Sequence, residues 1–463
     1  MVSKNRQQFE NKYIYRWVCG LIMTLLATMS FFCVWYKFVK VYNQTGHLTG
    51  IGNLMMACGI YGALYIVIGH GMKAFRIGVD RKANLMASQA LTLFCTDVLE
   101  MFISCAITGQ FRFFHFFLAR YLLLLPVQTL VICIFINYSV NYYRKIFPPL
   151  QLLEVFGEHE NHLLSKVNTR PDKYHVSKTV NISEGLEKIY SQMDAYDAVL
   201  INDIPADVKN QIVKECFERD KRVYFTPKIS DIISRSAVEI NLFDTPLYLC
   251  RNNGISPFQL YVKRFCDILF SLIGLVITSP VLLVTAAAIK LEDHGPVFFL
   301  QERATIGGKP FKIIKFRSMI VNAEKDGKPH PAGENDDRIT RVGHVIRPTR
   351  IDELPQLINI LRGEMSLVGP RPERLEHVHK YTQDIPEFVF RMKVLAGLTG
   401  VAQCYGRYNS SALDKLKMDL YYITNYSLLL DLQILFETVK ILVQKESTEG
   451  FSEEQQQRMH DAQ

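Results

Sequence analysis

The sequence predicts a membrane-anchored α/β protein: a helical membrane domain, then a small Rossmann-like α/β domain, then a larger α/β domain with its own hydrophobic helix. Three observations predict it. The first third holds four apolar runs, at about 14–36, 53–72, 85–108 and 113–138, each near the roughly 20 residues a helix needs to cross a bilayer. Residues 151–250 alternate strand-like and helix-like segments. A fifth apolar run, Ile268 to Ile289, is followed by a stretch dense in arginine, acid and glycine. The expected boundaries are 1–148, 149–252 and 253–446, with 447–463 as a mobile, Gln- and Glu-rich tail.

The four runs come first. Over 463 residues, 49% are hydrophobic and 21% charged, which excludes a collagen-like or disordered chain. The formal net charge of +8 would by itself suggest a nucleic-acid binder. Its distribution argues otherwise. Residues 1–150 carry 14 Lys+Arg against 4 Asp+Glu, residues 151–250 carry 12 against 16, and residues 251–463 carry 27 against 25. The excess therefore lies in the most apolar third, and no nucleic-acid partner is expected. Lys4, Arg6, Lys12 and Arg16 precede or open the first run. Lys73, Arg76, Arg81 and Lys82 lie between the second and third, and Arg144 and Lys145 follow the fourth. The other two loops carry mainly Lys37, Lys40 and Arg112. This asymmetry predicts a four-helix transmembrane bundle with both ends in the cytoplasm. The first run is not read as a cleavable signal, because no small-residue cleavage site follows it before the next span. Asp97 and Glu100 in the third run and Arg120 in the fourth are expected to form an interhelical ion pair, with a polar ligand site as the functional alternative. The ten cysteines are scattered without a CxxC, so neither zinc nor a disulfide framework is indicated.

In the middle domain, Leu152–Phe156, Ala198–Ile201 and Val223–Phe225 read as strands. Ser183–Met193 and Asp207–Arg219 read as helices, and Leu247–Cys250 ends the domain. A small parallel sheet follows from this alternation. Its first turn has Gly157 alone, where a dinucleotide site wants three glycines, and Glu158 and Glu160 would repel phosphate. A structural or regulatory domain is expected.

The fifth run has 22 residues without a charge, with Lys263 and Arg264 before it and Lys290 after it. By length it is a transmembrane helix. Ser279-Pro280 at its middle, and basic residues at both ends, also fit a helix–break–helix that enters and leaves on one face.

Four motifs follow. GGKPFKIIKFRSM, residues 307–319, reads as a turn and a strand. Alternation puts Lys315 and Arg317 on one face, suited to a phosphate or simply exposed. Residues 338–361 carry Arg338, Arg341, Arg347 and Arg350 ahead of Asp352-Glu353 at a predicted helix N-terminus. The dipole there favours ionised carboxylates, which suits a nucleophile or a metal ligand for Mg²⁺ and phosphate; acidic capping is the plain reading. MSLVGPRPE, residues 365–373, is a rigid loop presenting Arg371. AGLTGVAQ, residues 396–403, offers close glycines with Thr399 and Gln403 as a cradle for a nucleotide or sugar, or an ordinary glycine loop.

Taken together, KFRSM at 315–319, DELPQL at 352–357, SLVGPRP at 366–372 and GLTGVAQ at 397–403 resemble the catalytic domain of the bacterial sugar transferases. These are the polyprenyl-phosphate sugar-1-phosphate transferases, or monotopic phosphoglycosyl transferases. Four spans and an α/β domain ahead of it resemble the family's long form, including undecaprenyl-phosphate glucose phosphotransferases. The resemblance implies Asp352 as nucleophile and Glu353 as a catalytic group. It implies Mg²⁺ held by Glu353 and Asp352. It implies Arg347 as a phosphate contact; from the motifs themselves Lys315, Arg317, Arg371, Arg338, Thr399 and Gln403 are expected to bind phosphate or substrate. It also implies that the fifth run is a re-entrant hairpin over about 264–290, broken at Ser279 and Pro280. Val401, Ala396 and Asp336-Asp337 depart from the family pattern near the presumed sugar or nucleotide pocket.

The implied reaction passes a sugar 1-phosphate from a UDP-sugar to undecaprenyl phosphate through a phospho-sugar on Asp352, releasing UMP. It would be the first membrane step of exopolysaccharide, capsule or O-antigen assembly. The alternative is a membrane glycosyltransferase that moves the sugar alone and releases UDP. The expected location is the bacterial inner membrane, multi-pass, with the catalytic domain on the cytoplasmic face. The lipid bilayer is a partner, and a homodimer is left open. Beyond the motifs, 421–445 reads as an amphipathic helix, lying on the membrane interface or packed on the catalytic domain.

Overall fold

The computed structural model describes residues 4–42, 51–157, 163–250, 255–321, 336–406 and 410–443. The chain divides into two compact units, residues 1–226 and 227–463.

In the first unit, α1 (Lys4–Tyr42), α2 (Ile51–Gly71), α3 (Lys82–Thr108) and α4 (Phe114–Ile146) take up the four apolar runs. A helix satisfies its own backbone, the requirement hydrocarbon imposes on a spanning segment. α1 packs on α2 and α4, and α3 packs on α2 and α4. Phe31, Trp35, Phe38, Tyr61, Tyr65 and Phe117 are buried between them, and Phe31 stacks on Tyr61 at 4.4 Å. Polar edges of this core find partners inside it: Trp35 Nε1 donates to Ser104 Oγ at 3.0 Å.

Among the described residues, the ion pair expected between Asp97 or Glu100 and Arg120 is not present. Both carboxylates are buried, whereas Arg120 is exposed with its guanidinium 5.2 Å over the Phe116 ring. Helix geometry explains this. The buried stripe of α4 includes Phe117, Tyr121, Gln128, Ile132 and Ile136. Arg120 is turned roughly 100° away from Tyr121.

The same unit continues with β1 (Leu150–Phe156), α5 (Leu163–Asn168), β2 (Tyr174–Asn181), α6 (Leu186–Met193), β3 (Ala198–Asn202), α7 (Ala206–Glu218) and β4 (Arg222–Phe225). The strands form a parallel sheet in the order β2-β1-β3-β4. Leu153, Val155, Val199 and Ile201 on the central strands pack against Ile189, Met193, Ile212 and Cys216 on the helices. β2 lies at the edge and is largely exposed, so it lacks the apolar run that marks β1 and β3. The lone Gly157 has a packing role: a Cβ there would lie 2.4 Å from the Asp203 carbonyl oxygen. Glu158 and Glu160 lie outside the described residues.

The second unit begins earlier than the expected boundary at 252. It opens with α8 (Ile229–Arg235), then the antiparallel hairpin of β5 (Val238–Leu242) and β6 (Thr245–Leu249). The reason is Ile232, which is buried in one core with Phe388, Leu416, Leu420 and Ile423.

Then comes α9 (Pro257–Asp293). Ser256 caps it by accepting from Gln259 N–H, with Pro257 in the first turn. The helix continues through Ser279 and Pro280 rather than being interrupted there. Thr278 and Ser279 bond back to the carbonyls of Gly274 and Val276 at 2.7 and 2.8 Å. At its start, Lys263 pairs with Asp431 at 2.7 Å, and Asp267 accepts from Leu367 N–H at 3.1 Å. At its end, Glu292 accepts the amides of Arg341 and Val342, and Asp293 pairs with Arg317. The opposite face is apolar and exposed, including Val276, Ile277, Leu283 and Val284. Among the described residues, five helices are long and apolar enough to cross a membrane: α1 to α4 and α9.

The rest of the unit comprises β7 (Phe298–Ala304), β8 (Pro310–Phe316), α10 (Arg341–Ile346), α11 (Gln356–Arg362), β9 (Ser366–Val368), α12 (Leu375–Asp384), β10 (Gly397–Thr399), α13 (Val401–Tyr405), α14 (Ala412–Thr424) and α15 (Leu428–Val443). β7 and β8 pair antiparallel, and β9 and β10 pair parallel. The helix expected over 421–445 is two helices, separated at Asn425–Ser427. On α15, Asp431, Ile434 and Lys440 face inward, while Leu429, Leu432, Val439 and Leu442 are exposed. One face thus packs on the unit, as one reading expected, and an apolar face remains outside. The tail 447–463 lies outside the described residues.

Candidate active site

Three local structures converge on a pocket of about 240 Å³ that opens to solvent. The first is the β7–β8 hairpin, which aligns Phe299 with Lys315. Asn359, fully buried on α11, holds the edge of β8: its Oδ1 accepts from Ile314 N–H at 3.0 Å and its Nδ2 donates to the Lys312 carbonyl at 2.8 Å. The backbone leading into Lys315 is held by these two bonds.

The second is a single 3₁₀ turn, Ile351–Glu353, ahead of α11. Arg350 before it has φ of 54°, a left-handed conformation uncommon outside glycine. Strain of this kind persists where the surroundings over-determine it, and it stands here next to the Asp-Glu pair.

The third is the loop after β9. Gly369, Gly397 and Gly400 bring its backbone against that of β10. A Cβ on Gly397 would lie 2.1 Å from Gly369 N, and one on Gly400 2.2 Å from Gly369 O. These glycines therefore serve strand-to-strand contact, although Gly397 also lines the pocket. The loop aims Arg371, whose carbonyl accepts from Arg391 Nη2 at 2.9 Å. Arg391 is itself buried and pairs with Asp419 at 2.8 Å and Glu373 at 3.5 Å.

The result is a carboxylate enclosed by cations. Glu353 takes Lys315 Nζ at 2.8 Å and Arg371 Nη2 at 3.0 Å on one oxygen, and Arg350 Nη1 at 3.4 Å on the other. Burial opposes its ionisation, but Arg371, Lys315 and Arg350 overcome it and hold Glu353 well below the usual carboxylate range. Burial also lowers the pKa of Lys315, against the pull of Glu353. Asp352 behaves oppositely. Burial first, then the adjacent Glu353 charge, push it up to about 6, against Lys315, Arg347 and Arg350. The dipole and the cations thus hold Glu353 low, whereas at Asp352 burial and the neighbouring charge outweigh them and raise its pKa, which at about 6 still leaves it mostly ionised at neutral pH. Among the described residues, no hydrogen bond or ion pair holds the Asp352 carboxylate.

The predicted site residues divide accordingly. Lys315, Glu353, Arg371 and Gln403 line the pocket. Asp352 stands beside them on the turn, with Arg347 in electrostatic reach. Arg338 is engaged by Asp336 through two contacts, at 2.8 and 2.6 Å. Two residues are placed away from the pocket lining. Arg317 does not share a face with Lys315: β8 ends at Phe316, and Arg317, beyond it, is buried against Asp293 at the end of α9. Thr399 spends its hydroxyl on Thr438 Oγ1 at 2.6 Å, tying β10 to α15. Arg407, next to Gly406 in the motif region, lies outside the described residues. Arg303 and Gln356 line the pocket as well. Burial and Arg371 bring Arg303 down to about 10. It belongs to no motif, and only its position at the end of β7, opposite the glycine turn, signals it.

Asp352 and Glu353 are the carboxylates within reach of a metal here, and among the described residues no group of three or more His, Cys, Asp or Glu gathers to hold one. That donor set is too small for a closed metal cage. It fits Mg²⁺, which binds through one or two carboxylates together with substrate phosphates and water. The cations and the pocket suit a diphosphate.

Residues 258–445 match the family described as bacterial sugar transferase. The chain is 33% identical over 341 residues to the UDP-N-acetylgalactosamine-undecaprenyl-phosphate N-acetylgalactosaminephosphotransferase of Aeromonas hydrophila, covering 73% of this chain and 77% of that one. It is 39% identical over 265 residues to the UDP-glucose:undecaprenyl-phosphate glucose-1-phosphate transferase of Klebsiella pneumoniae, spanning 55% of this chain and about half (54%) of that relative. It is 51% identical over 133 residues, 29% of this chain and 74% of the relative, to a putative undecaprenyl-phosphate N-acetylgalactosaminyl 1-phosphate transferase of Bacillus subtilis. With these relatives and its apolar helices, the chain is a membrane protein.

Proposed function

We propose a reaction on one premise: this chain belongs to the bacterial sugar transferase family. It transfers a sugar 1-phosphate from a UDP-sugar to undecaprenyl phosphate, releasing UMP and forming a sugar-diphospho-undecaprenol. The names of its relatives support this chemistry, and one observation carries it to particular residues. Glu353 is ion-paired with Lys315, Arg350 and Arg371, while the adjacent Asp352 has a carboxylate without a hydrogen-bond partner among the described residues.

Asp352 attacks the β-phosphorus of the UDP-sugar. A P–O bond to the aspartate forms as the bond to UMP breaks. An oxygen of undecaprenyl phosphate then attacks the same phosphorus, and the aspartyl carboxylate leaves. The two-step route divides one difficult displacement into two. Arg371, Lys315 and Arg347 bind the phosphoryl oxygens and stabilise the charge that spreads over them. Glu353 keeps Arg371 and Lys315 in place before substrate arrives. Asp352 and Glu353 would hold Mg²⁺ together with the diphosphate, and the ion would supply further neutralisation of its charge.

In this reading α1 to α4 are a transmembrane bundle with both ends in the cytoplasm of a bacterial inner membrane. α9 is a re-entrant anchor that sets the pocket at the depth of a lipid headgroup. Support for re-entry comes from the two ends of α9, both of which bond to its own unit: Lys263 to Asp431, and Asp293 to Arg317. A helix that crossed the bilayer would carry one of those ends to the opposite face.

The test is a screen of UDP-sugars with undecaprenyl phosphate, identifying the released nucleotide. UMP supports phosphosugar transfer. UDP would replace this proposal with transfer of the sugar alone.

A further inference from the structure

The four-helix region contains a second pair of carboxylates, and its surroundings are unlike those of the first. Asp97 and Glu100 sit three residues apart on α3, on one helix face. They are 4% and 0% exposed. Tyr61 donates its hydroxyl to Asp97 Oδ1 at 2.9 Å. That hydroxyl in turn accepts from Gln128 Nε2 at 3.0 Å, and the same Nε2 bonds Ser30 Oγ at 2.8 Å and the Ala27 carbonyl at 3.3 Å. The carbonyl can only accept, so the orientation of the Gln128 amide is determined: its nitrogen faces α1, and its oxygen points the other way.

Four buried oxygens on Asp97, Glu100 and Gln128 have no hydrogen-bond partner among the described residues: Asp97 Oδ2, Glu100 Oε1, Glu100 Oε2 and Gln128 Oε1. A buried polar group without a partner is costly, and a charged one more so. Here all four orphans are acceptors. Arg120, the basic residue that sequence spacing offers as a partner, is exposed against Phe116.

We propose that Asp97, Glu100 and Gln128 form a binding site for a hard metal cation within the membrane helices. The ligand class follows from the donors. They are carboxylate and amide oxygens without thiolate or imidazole, the set that suits Na⁺, K⁺, Mg²⁺ or Ca²⁺ rather than a soft transition metal. Two of the donors carry charge, and in hydrocarbon such groups pair or line a polar cavity. Tyr61 serves as a positioning residue: it orients Asp97 from α2 and links it to Gln128 on α4. A bound cation would thus tie α2, α3 and α4 together. The site belongs to the first unit, Asp352 and Glu353 to the second, and it does not depend on the reaction proposed for them.

The test uses the full chain in detergent or nanodiscs. The thermal unfolding midpoint is read in NaCl, KCl, MgCl₂ or CaCl₂ against choline chloride at matched ionic strength. The retained cation per chain is counted after gel filtration, with ²²Na⁺ or ⁴⁵Ca²⁺ as tracer. At a hundredfold excess over Kd, one metal salt should raise the wild-type midpoint by about 5 °C or more. Glu100→Gln and Asp97→Asn should each abolish that rise and the retained ion, whereas Arg120→Gln should keep both. The Mg²⁺ arm is repeated in Asp352→Asn, so that binding at the pocket is not mistaken for binding here. If a carboxylate variant does not fold, the wild-type ion count and Arg120→Gln decide. Equal wild-type midpoints in all five salts with no retained ion would overturn the proposal and leave a shared proton as the compensating charge. A rise that survives both carboxylate variants would overturn it as well.

Discussion

Two pairs of neighbouring carboxylates sit in this chain, and they are neutralised in opposite ways. Asp352 and Glu353 lie among Lys315, Arg347, Arg350 and Arg371, with Glu353 in three ion pairs. Asp97 and Glu100 have a tyrosine hydroxyl and three orphaned carboxylate oxygens. The first pair is pre-paid by protein cations, so a carboxylate can stay ionised and be used for chemistry. The second has no such cations among the described residues, so a bound cation or a proton must balance it. Burial alone does not make a reactive acid; the fixed charges around it decide whether it reacts, binds or stays silent.

The comparison breaks most visibly at Asp352. Asp352→Asn should lower turnover by at least about 10³-fold with the fold intact, measured as UMP release beside the far-UV spectrum. An active variant would place the nucleophile elsewhere. Glu353→Gln comes next. It leaves Lys315, Arg350 and Arg371 facing one another without a counter-charge, and should cost about 3 kcal/mol of stability along with activity, read by denaturant unfolding. Arg391→Met should have a similar or slightly smaller effect on stability. Asp419, 1% exposed and pushed up to about 6 chiefly by burial, then loses its partner, and the Arg371 carbonyl loses a donor. A variant as stable as wild type would show that this pair positions nothing.

A smaller effect is pH-dependent. Asp352 must be ionised to attack, and its pKa is raised to about 6 from an ordinary 3.8. The reactive fraction is therefore complete well above pH 6 and declines as pH falls through about 6. Adduct formation in single-turnover experiments should lose its rate between about pH 7 and 5, roughly two units above an ordinary aspartate. A plateau reaching down to pH 4 would show that the cations dominate over burial. Smallest of all, Arg120→Gln should shift stability by no more than about 0.5 kcal/mol, because its guanidinium is exposed and carries no ion pair among the described residues.

What the sequence made legible follows the range of the physics. The spans, β1, β3 and the Asp-Glu pair were readable because each is a contiguous run or a near-neighbour motif. β2 was not, since an edge strand half in solvent has no apolar signature. Arg317 was assigned by strand alternation, but the strand stops one residue before it, and its partner Asp293 is 24 positions away. Gly397 and Gly400 read as a cradle for a nucleotide or sugar, and Gly369 as part of a rigid loop. Their need for open space comes from one another, across two motifs. Arg120 could have been excluded from sequence by its rotation from the buried stripe of α4, had that stripe been traced.

The central claim is that the cation-enclosed turn makes Asp352 a covalent carrier. The direct measurement is to mix the protein with a UDP-sugar bearing ³²P at the β-phosphate, without undecaprenyl phosphate, and to map the labelled peptide by mass. The account predicts one equivalent of phospho-sugar on Asp352, UMP released in the same amount, and chase of the label into lipid when undecaprenyl phosphate is added. Label on another residue, or UDP released with no protein-bound label, would contradict it.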